Sequence, residues 1–309
     1  MIENFFAAVT NFAHRHKFLN NAFLRRFVPI YQRLQYLTAS RVGPVANTIF
    51  AAAQRDRFLA ENPGRVEAVA NMLADEKSRY TYLGMVKFRQ SGLKKDFPAK
   101  YYNKKQYFVN ELRLGGDEVF IDCGAFTGDT LDEFIKRCGG YKAVIAFEPD
   151  PQNFQKLEKK YGAVPNVTLI NAGAYDKDGE IEFNVSGSGG TQAVEREEKS
   201  AESPASAASG GNIHAIQVRA IDGLESVQRE KITFIKMDVE GAEMSALKGA
   251  EKTIARDKPK LAISIYHSNE DMVRIAEYIH GLVPEYKLYV GQHMLFPSCG
   301  ETVLYAVMP

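Results

Sequence analysis

The sequence predicts a doubly wound, mostly parallel α/β fold behind a helical N-terminal region. Two observations predict it. From residue 119 onward short apolar runs alternate with stretches of helical periodicity, and the runs are continuous enough for strands buried on both faces. Polar residues suited to chemistry also recur where those runs end: Asp122, Glu148, Asn171, Asp238 and His267. In open α/β sheets ligands bind beyond the carboxyl ends of the strands, so this register marks a site.

Residues 1–92 carry few strand signals, and apolar residues such as Phe5, Val9, Phe12, Phe23, Phe27 and Leu34 recur at helical spacing. The first part is basic, with Arg15, Lys17, Arg25, Arg26, Arg33 and Arg41 against Glu3 alone, which suits helices packing on the α/β part or on a second copy, as in a homodimer. Pro63-Gly64 punctuates this region, and the spacing of Val66, Val69, Ala70, Leu73 and Tyr80 predicts a helix over 66–82. The mixed basic and aromatic stretch 94–108 reads as a linker that closes over the pocket from the side.

The α/β part, 93–309, opens with the organising run Val119-Phe120-Ile121-Asp122-Cys123, which breaks into Gly124, Ala125 and Gly128 and then a helix. Strands follow at 143–147 and 167–170, with a helix opening at Phe154 and Leu157. Asp178-Gly179 is a turn into a strand over 180–185. Residues 186–212 are rich in Gly, Ser and charge, and predict a mobile insertion. The pattern resumes with a strand at 232–237, one helix through Ala246, Leu247, Ala250 and Ile254, and a strand at 261–266. A helix at 271–282 and strands at 287–290 and 302–307 complete it.

Composition narrows the functional classes. The 309 residues are 25% charged with a formal net charge of +1, which argues against nucleic-acid binding through a basic surface. Three cysteines without zinc or redox spacing predict free thiols, and with no secretory signal or membrane-spanning run the expected location is cytoplasmic.

The dinucleotide fingerprint wants Gly-x-Gly-x-x-Gly, but the first position here is Asp122 and the spacing is Asp-x-Gly-x-x-x-Gly. A carboxylate there repels pyrophosphate yet can meet a cationic amino-acid head through water or loop N–H groups. Glu148, at the end of the next strand, suits the two donors of a ribose diol. The ligand implied is an adenosine carrying a zwitterionic amino acid, S-adenosylmethionine.

At these residues the chain resembles FkbM-type S-adenosylmethionine-dependent methyltransferases. The resemblance is carried by Phe120–Ala125 with Gly128-Asp129-Thr130, by Phe147-Glu148-Pro149, by the block from Ile235 to Glu243 (Ile-Lys-Met-Asp-Val-Glu-Gly-Ala-Glu), and by Tyr266-His267 and 301–306. It implies a Rossmann-like class I methyltransferase fold, with a seven-stranded sheet whose last strand is antiparallel. It also implies O-methylation of a hydroxyl on a sugar, glycan or natural product. By position, Gly124, Ala125 and Gly128 would cradle the methionine part, with Tyr107 and Phe108 as its wall. Glu148, followed by Pro149, would take the ribose, and Asn171, Ala172 and Ala174 would lie along the adenine edge.

The donor methyl is already activated, so the enzyme needs an aligned acceptor oxygen and a base. His267 is the first candidate base; Lys236 and Asp238 are acid–base or orienting candidates, with a plain buried ion pair as their competing reading. A divalent cation shared by Asp238 and Glu240 is the lesser expectation, because no third carboxylate at suitable spacing is evident; Glu243 is expected to serve a helix dipole. A catalytically inactive scaffold and an NAD-dependent oxidoreductase are the alternatives, the latter opposed by the missing first glycine.

Overall fold

The computed structural model describes residues 57–186, 190–193, 212–296 and 298–309. The helices expected within 1–56 and much of the 186–212 insertion lie outside the described residues.

A seven-stranded sheet is built around β1 (Val119–Cys123), all of whose residues are buried. Side chains alternate along it: Val119, Ile121 and Cys123 enter one core and Phe120 the other, as a strand covered on both faces requires, with Asp122 the one charged residue among them. Parallel neighbours are β2 (Ala143–Phe147) and β8 (Phe234–Met237), flanked in turn by β3 (Val167–Ile170) and β9 (Lys260–Ser264). The last strand, β11 (Thr302–Val307), runs antiparallel between β9 and β10 (Lys287–Gln292). On one face Phe120 stacks on Phe234 at 4.7 Å and meets Phe134 of α4 (Asp129–Cys138) at 4.5 Å.

Helices cover both faces. Asp150 caps α5 (Pro151–Tyr161) by accepting the Asn153 N–H at 2.8 Å, and the Pro at the first helical position needs no donor. After β9 comes α9 (Asp271–Leu282), as the periodicity predicts. Ahead of the sheet lie α1 (Phe58–Glu61), α2 (Pro63–Met72) and α3 (Glu76–Ser91). The single helix expected over 66–82 is therefore two, broken where Leu73 and Ala74 reach the edge strand β10 and Asp75 caps α3 through the Ser78 N–H. Leu59, Val69, Tyr82 and Phe88 of these helices join the core of the sheet.

Three further expectations are corrected. Part of the 186–212 stretch is ordered, since β6 (Gly190–Ala193) pairs antiparallel with β5 (Gly179–Ser186). With β4 (Gly173–Ala174) and β7 (Asn212–Arg219) they make a second, four-stranded sheet. Ile181, Ile216 and Val218 of this sheet pack with Val239 and Ala242, so it buttresses the loop after β8. The helix expected through Ala246 and Ile254 is split into α7 (Glu243–Lys248) and α8 (Glu251–Asp257) at Gly249, where a Cβ would overlap the Tyr175 carbonyl. Finally, β9 stops at Ser264, so Tyr266 and His267 stand on the loop beyond it. A short helix, α6 (Glu225–Arg229), precedes β8. Among the described residues no helix is long and apolar enough to cross a membrane, and all three cysteines are free.

Candidate active site

The polar strand ends converge where β1, β8 and β9 finish side by side. Asp122 and Lys236 are register partners on neighbouring strands and share the face of Phe120 and Phe234. Their side chains meet at 3.0 Å with almost no exposure. Lys236 also donates to the carbonyls of Gly124 (2.8 Å) and Cys123 (3.2 Å), so it neutralises a buried carboxylate and ties down the glycine turn together. Burial pushes the Asp122 carboxyl up against the pull of Lys236; against its own desolvation, Asp122 and Asp238 hold the Lys236 ammonium above its ordinary pKa.

The turn itself is shaped by protein contacts. Gly124 has φ +88°, and a Cβ there would overlap the Asp238 carbonyl; at Gly128, φ +89°, a Cβ would come within 2.7 Å of the Tyr161 ring. The N–H groups of Gly124 and Ala125 go to the Phe147 carbonyl at 3.1 and 2.9 Å. Phe126, at φ +51° and 42% exposed, donates its N–H to Glu148 at 2.8 Å. The other Glu148 oxygen accepts the Asp150 N–H at 2.9 Å, and burial raises this carboxyl to about 7. Asn171 donates to the Glu148 carbonyl at 2.8 Å and to that of Pro149 at 3.4 Å, bracing that corner. Ala172 and Ala174 are buried, Ala174 within the main core and on the second sheet.

Opposite the turn, Asp238 is clasped by two phenols: Tyr107 donates to one oxygen at 2.6 Å and Tyr266 to the other at 3.0 Å. Burial alone would raise Asp238, but Lys236, both hydroxyls and His267 hold it below the usual carboxylate range. The Tyr107 ring lies under the Lys236 ammonium at 5.1 Å, and Phe108 turns away to pack with Phe134 and Phe234. The strap delivering Tyr107 is latched to the last hairpin: Tyr305 donates to the Gln106 carbonyl, and His293 meets the Asn103 carbonyl at 2.6 Å and Tyr305 at 2.5 Å.

His267 completes the group. Its Nδ1 is 3.0 Å from Glu243, and its Nε2 is 3.6 Å from both Asp238 and Glu240. Although burial opposes charge, these carboxylates raise the ring to about 9, Glu243 contributing most. Glu301, at φ +61°, is raised to about 7 by burial and by Asp238. Asp238, Glu243 and His267 bring donor atoms within 4.8 Å of one another, so a third carboxylate does accompany Asp238, and a cation would find suitable spacing there.

The family profile described as Methyltransferase FkbM domain matches residues 122–289, more than half of the chain. The chain belongs to the FkbM methyltransferase family. The 2-O-methyltransferase NoeI of Sinorhizobium fredii (strain NBRC 101917 / NGR234) is 25% identical over 149 residues, covering 46% of this chain and 61% of NoeI. Methyltransferase FkbM from Methylobacillus flagellatus KT, a solved structure, is 27% identical with a TM-score of 0.66, covering 82% of this chain and 61% of that one. The chain thus spans about three fifths of the length of either relative.

Within the FkbM domain the structure gathers Asp122, Gly124, Lys236, Asp238 and His267 around one point, with Glu148 and Asn171 bracing the far side of the glycine turn. Tyr107 and Glu301 lie outside the matched span yet face Asp238. Sequence reasoning missed Tyr266, Glu301 and Arg89 as site groups. Arg89, on α3, donates to the Tyr266 carbonyl and to Asn269 at 3.0 Å, pinning the loop that carries His267. The one sequence signal for Glu301 and Tyr266 was their place in the FkbM-like blocks.

Proposed function

We propose that the protein moves a methyl group from S-adenosylmethionine to a hydroxyl oxygen of a sugar, glycan or natural product. The observation that carries the reading is the pairing of two unlike corners at the strand ends. One is a buried carboxylate, Glu148, whose oxygens each take one backbone N–H and keep lone pairs for ribose hydroxyls. The other is the clasped Asp238 beside His267. A surplus of carboxylates over cations suits a cationic donor, and the name of the 2-O-methyltransferase relative supports oxygen as the acceptor atom.

When bound, the donor supplies a methyl group activated by a sulfonium leaving group. Asp238, held by Tyr107 and Tyr266, orients the acceptor hydroxyl for in-line attack. The neutral form of His267, the minor one at neutral pH for a ring raised to about 9, would take the acceptor hydroxyl's proton at Nε2 as the methyl group is transferred, becoming imidazolium. The carboxylates around His267 stabilise the resulting imidazolium. Calorimetry of the full chain with S-adenosylhomocysteine tests the reading: tight binding is expected, and binding of NAD in its place would overturn it. Glu148→Ala should weaken donor affinity at least tenfold.

A further inference from the structure

We propose that Glu243 is a positioning residue, which locks the His267 ring so that Nε2 rather than Nδ1 is the atom offered to the acceptor. The proposal rests on the methyl-transfer reading for its purpose, not for its geometry. Glu243 opens α7, yet it is 0% exposed; a carboxylate serving only a helix dipole acts as well at the surface and avoids the cost of burial. One oxygen accepts the Val239 N–H at 2.8 Å, closing the loop after β8 upon itself, and the same oxygen lies 3.0 Å from His267 Nδ1. The loop is bent tightly by Glu240 at φ +55° and Gly241 at φ +94°, and a Cβ on Gly241 would sit 3.8 Å from that of His267. The carboxylate is therefore fixed by backbone, and the ring is packed against the fixing loop.

With the Glu243 carboxylate 3.0 Å from Nδ1, an imidazole protonated on that nitrogen carries its lone pair on Nε2 when neutral. That nitrogen is the one beside Asp238 and Glu240, each at 3.6 Å. The charged and titratable groups facing the ring come from every neighbouring element. Glu243 comes from α7, Asp238 and Glu240 from the loop after β8, Glu301 from the β10–β11 connection, and Tyr266 lies alongside with ring centroids 4.1 Å apart. Of these, Glu243 is the group next to Nδ1.

Nitrogen NMR of the full chain labelled in its six histidines tests this without an acceptor, the His267 signals being assigned by their loss in His267→Gln. At high pH neutral His267 should be the Nδ1–H tautomer. Glu243→Gln keeps the shape and removes the charge, so the His267 titration midpoint should move down by about 1–2 pH units, a change a merely structural role would not produce. A neutral ring protonated on Nε2, or an unmoved midpoint in Glu243→Gln, would overturn the proposal. So would tight Mn²⁺ binding lost in Glu243→Gln, which would make the trio a cation site. Donor binding is read separately by calorimetry, so failure of the methyl-transfer reading leaves the tautomer result standing.

Discussion

The same three strands, β1, β8 and β9, carry a charged cluster at each end, and the two clusters differ in balance. At the amino end Glu118, 3% exposed, accepts from the Gly115 N–H at 3.0 Å, from Thr233 and from Lys260, and the group closes on itself. At the carboxyl end, among the described residues, Asp122, Asp238, Glu240, Glu243 and Glu301 gather around Lys236 and His267. A balanced cluster spends its charges on holding strands together. An unbalanced one holds charge ready for something outside the chain, and it is this end that carries the raised carboxyls and the raised histidine.

Removing one of the two cations should break the carboxyl end most severely. Lys236→Met leaves Asp122 buried without its partner and should cost about 3–5 kcal/mol in urea unfolding, with donor binding lost as the glycine turn loosens. His267→Ala should leave donor affinity near wild type while cutting methyl transfer about 10²–10⁴-fold, a kcat effect with KM for the donor unchanged.

Acidity sharpens the contrast. Glu148 and Glu301, raised to about 7 by burial, and His267, raised to about 9 by its carboxylates, all sit above their unfolded values. The stability they contribute is complete below those unfolded values and is lost as pH rises through 7 and then 9. Unfolding free energy should fall between the unfolded carboxyl value of 4.5 and pH 9, on the order of 1.4 kcal/mol for each pH unit that separates a folded from an unfolded pKa. Glu301→Gln should flatten the first part of the fall. The smallest effect belongs to the balanced end: Glu118→Gln should cost about 1–3 kcal/mol, without altering donor binding. An equal loss of donor binding in Glu118→Gln and Lys236→Met would erase the distinction.

The sequence showed the central sheet clearly, because strands buried on both faces must be written as continuous apolar runs such as Ala143–Phe147. The second sheet was far less visible, since β7 mixes Ile216 and Val218 with polar neighbours and β6, which pairs with β5, sits in a stretch read as a mobile insertion. Helix breaks at Leu73 and Gly249 arise from contacts with β10 and Tyr175, which no local pattern encodes. The strand-end residues of the site were legible because topology puts all strand ends together. Their partners were not: Asp122 looked ligand-facing until the register set it beside Lys236. Glu243 looked like an ordinary first-turn acid, although burial turned it on His267.

Phe126 offers one last consequence. It is an exposed aromatic on the left-handed residue of the glycine turn, its N–H held by Glu148, in a chain with no tryptophan. Phe126→Trp would place a single tryptophan at the lip of the proposed donor corner, and its emission would read out donor binding there in real time against a background of tyrosine alone.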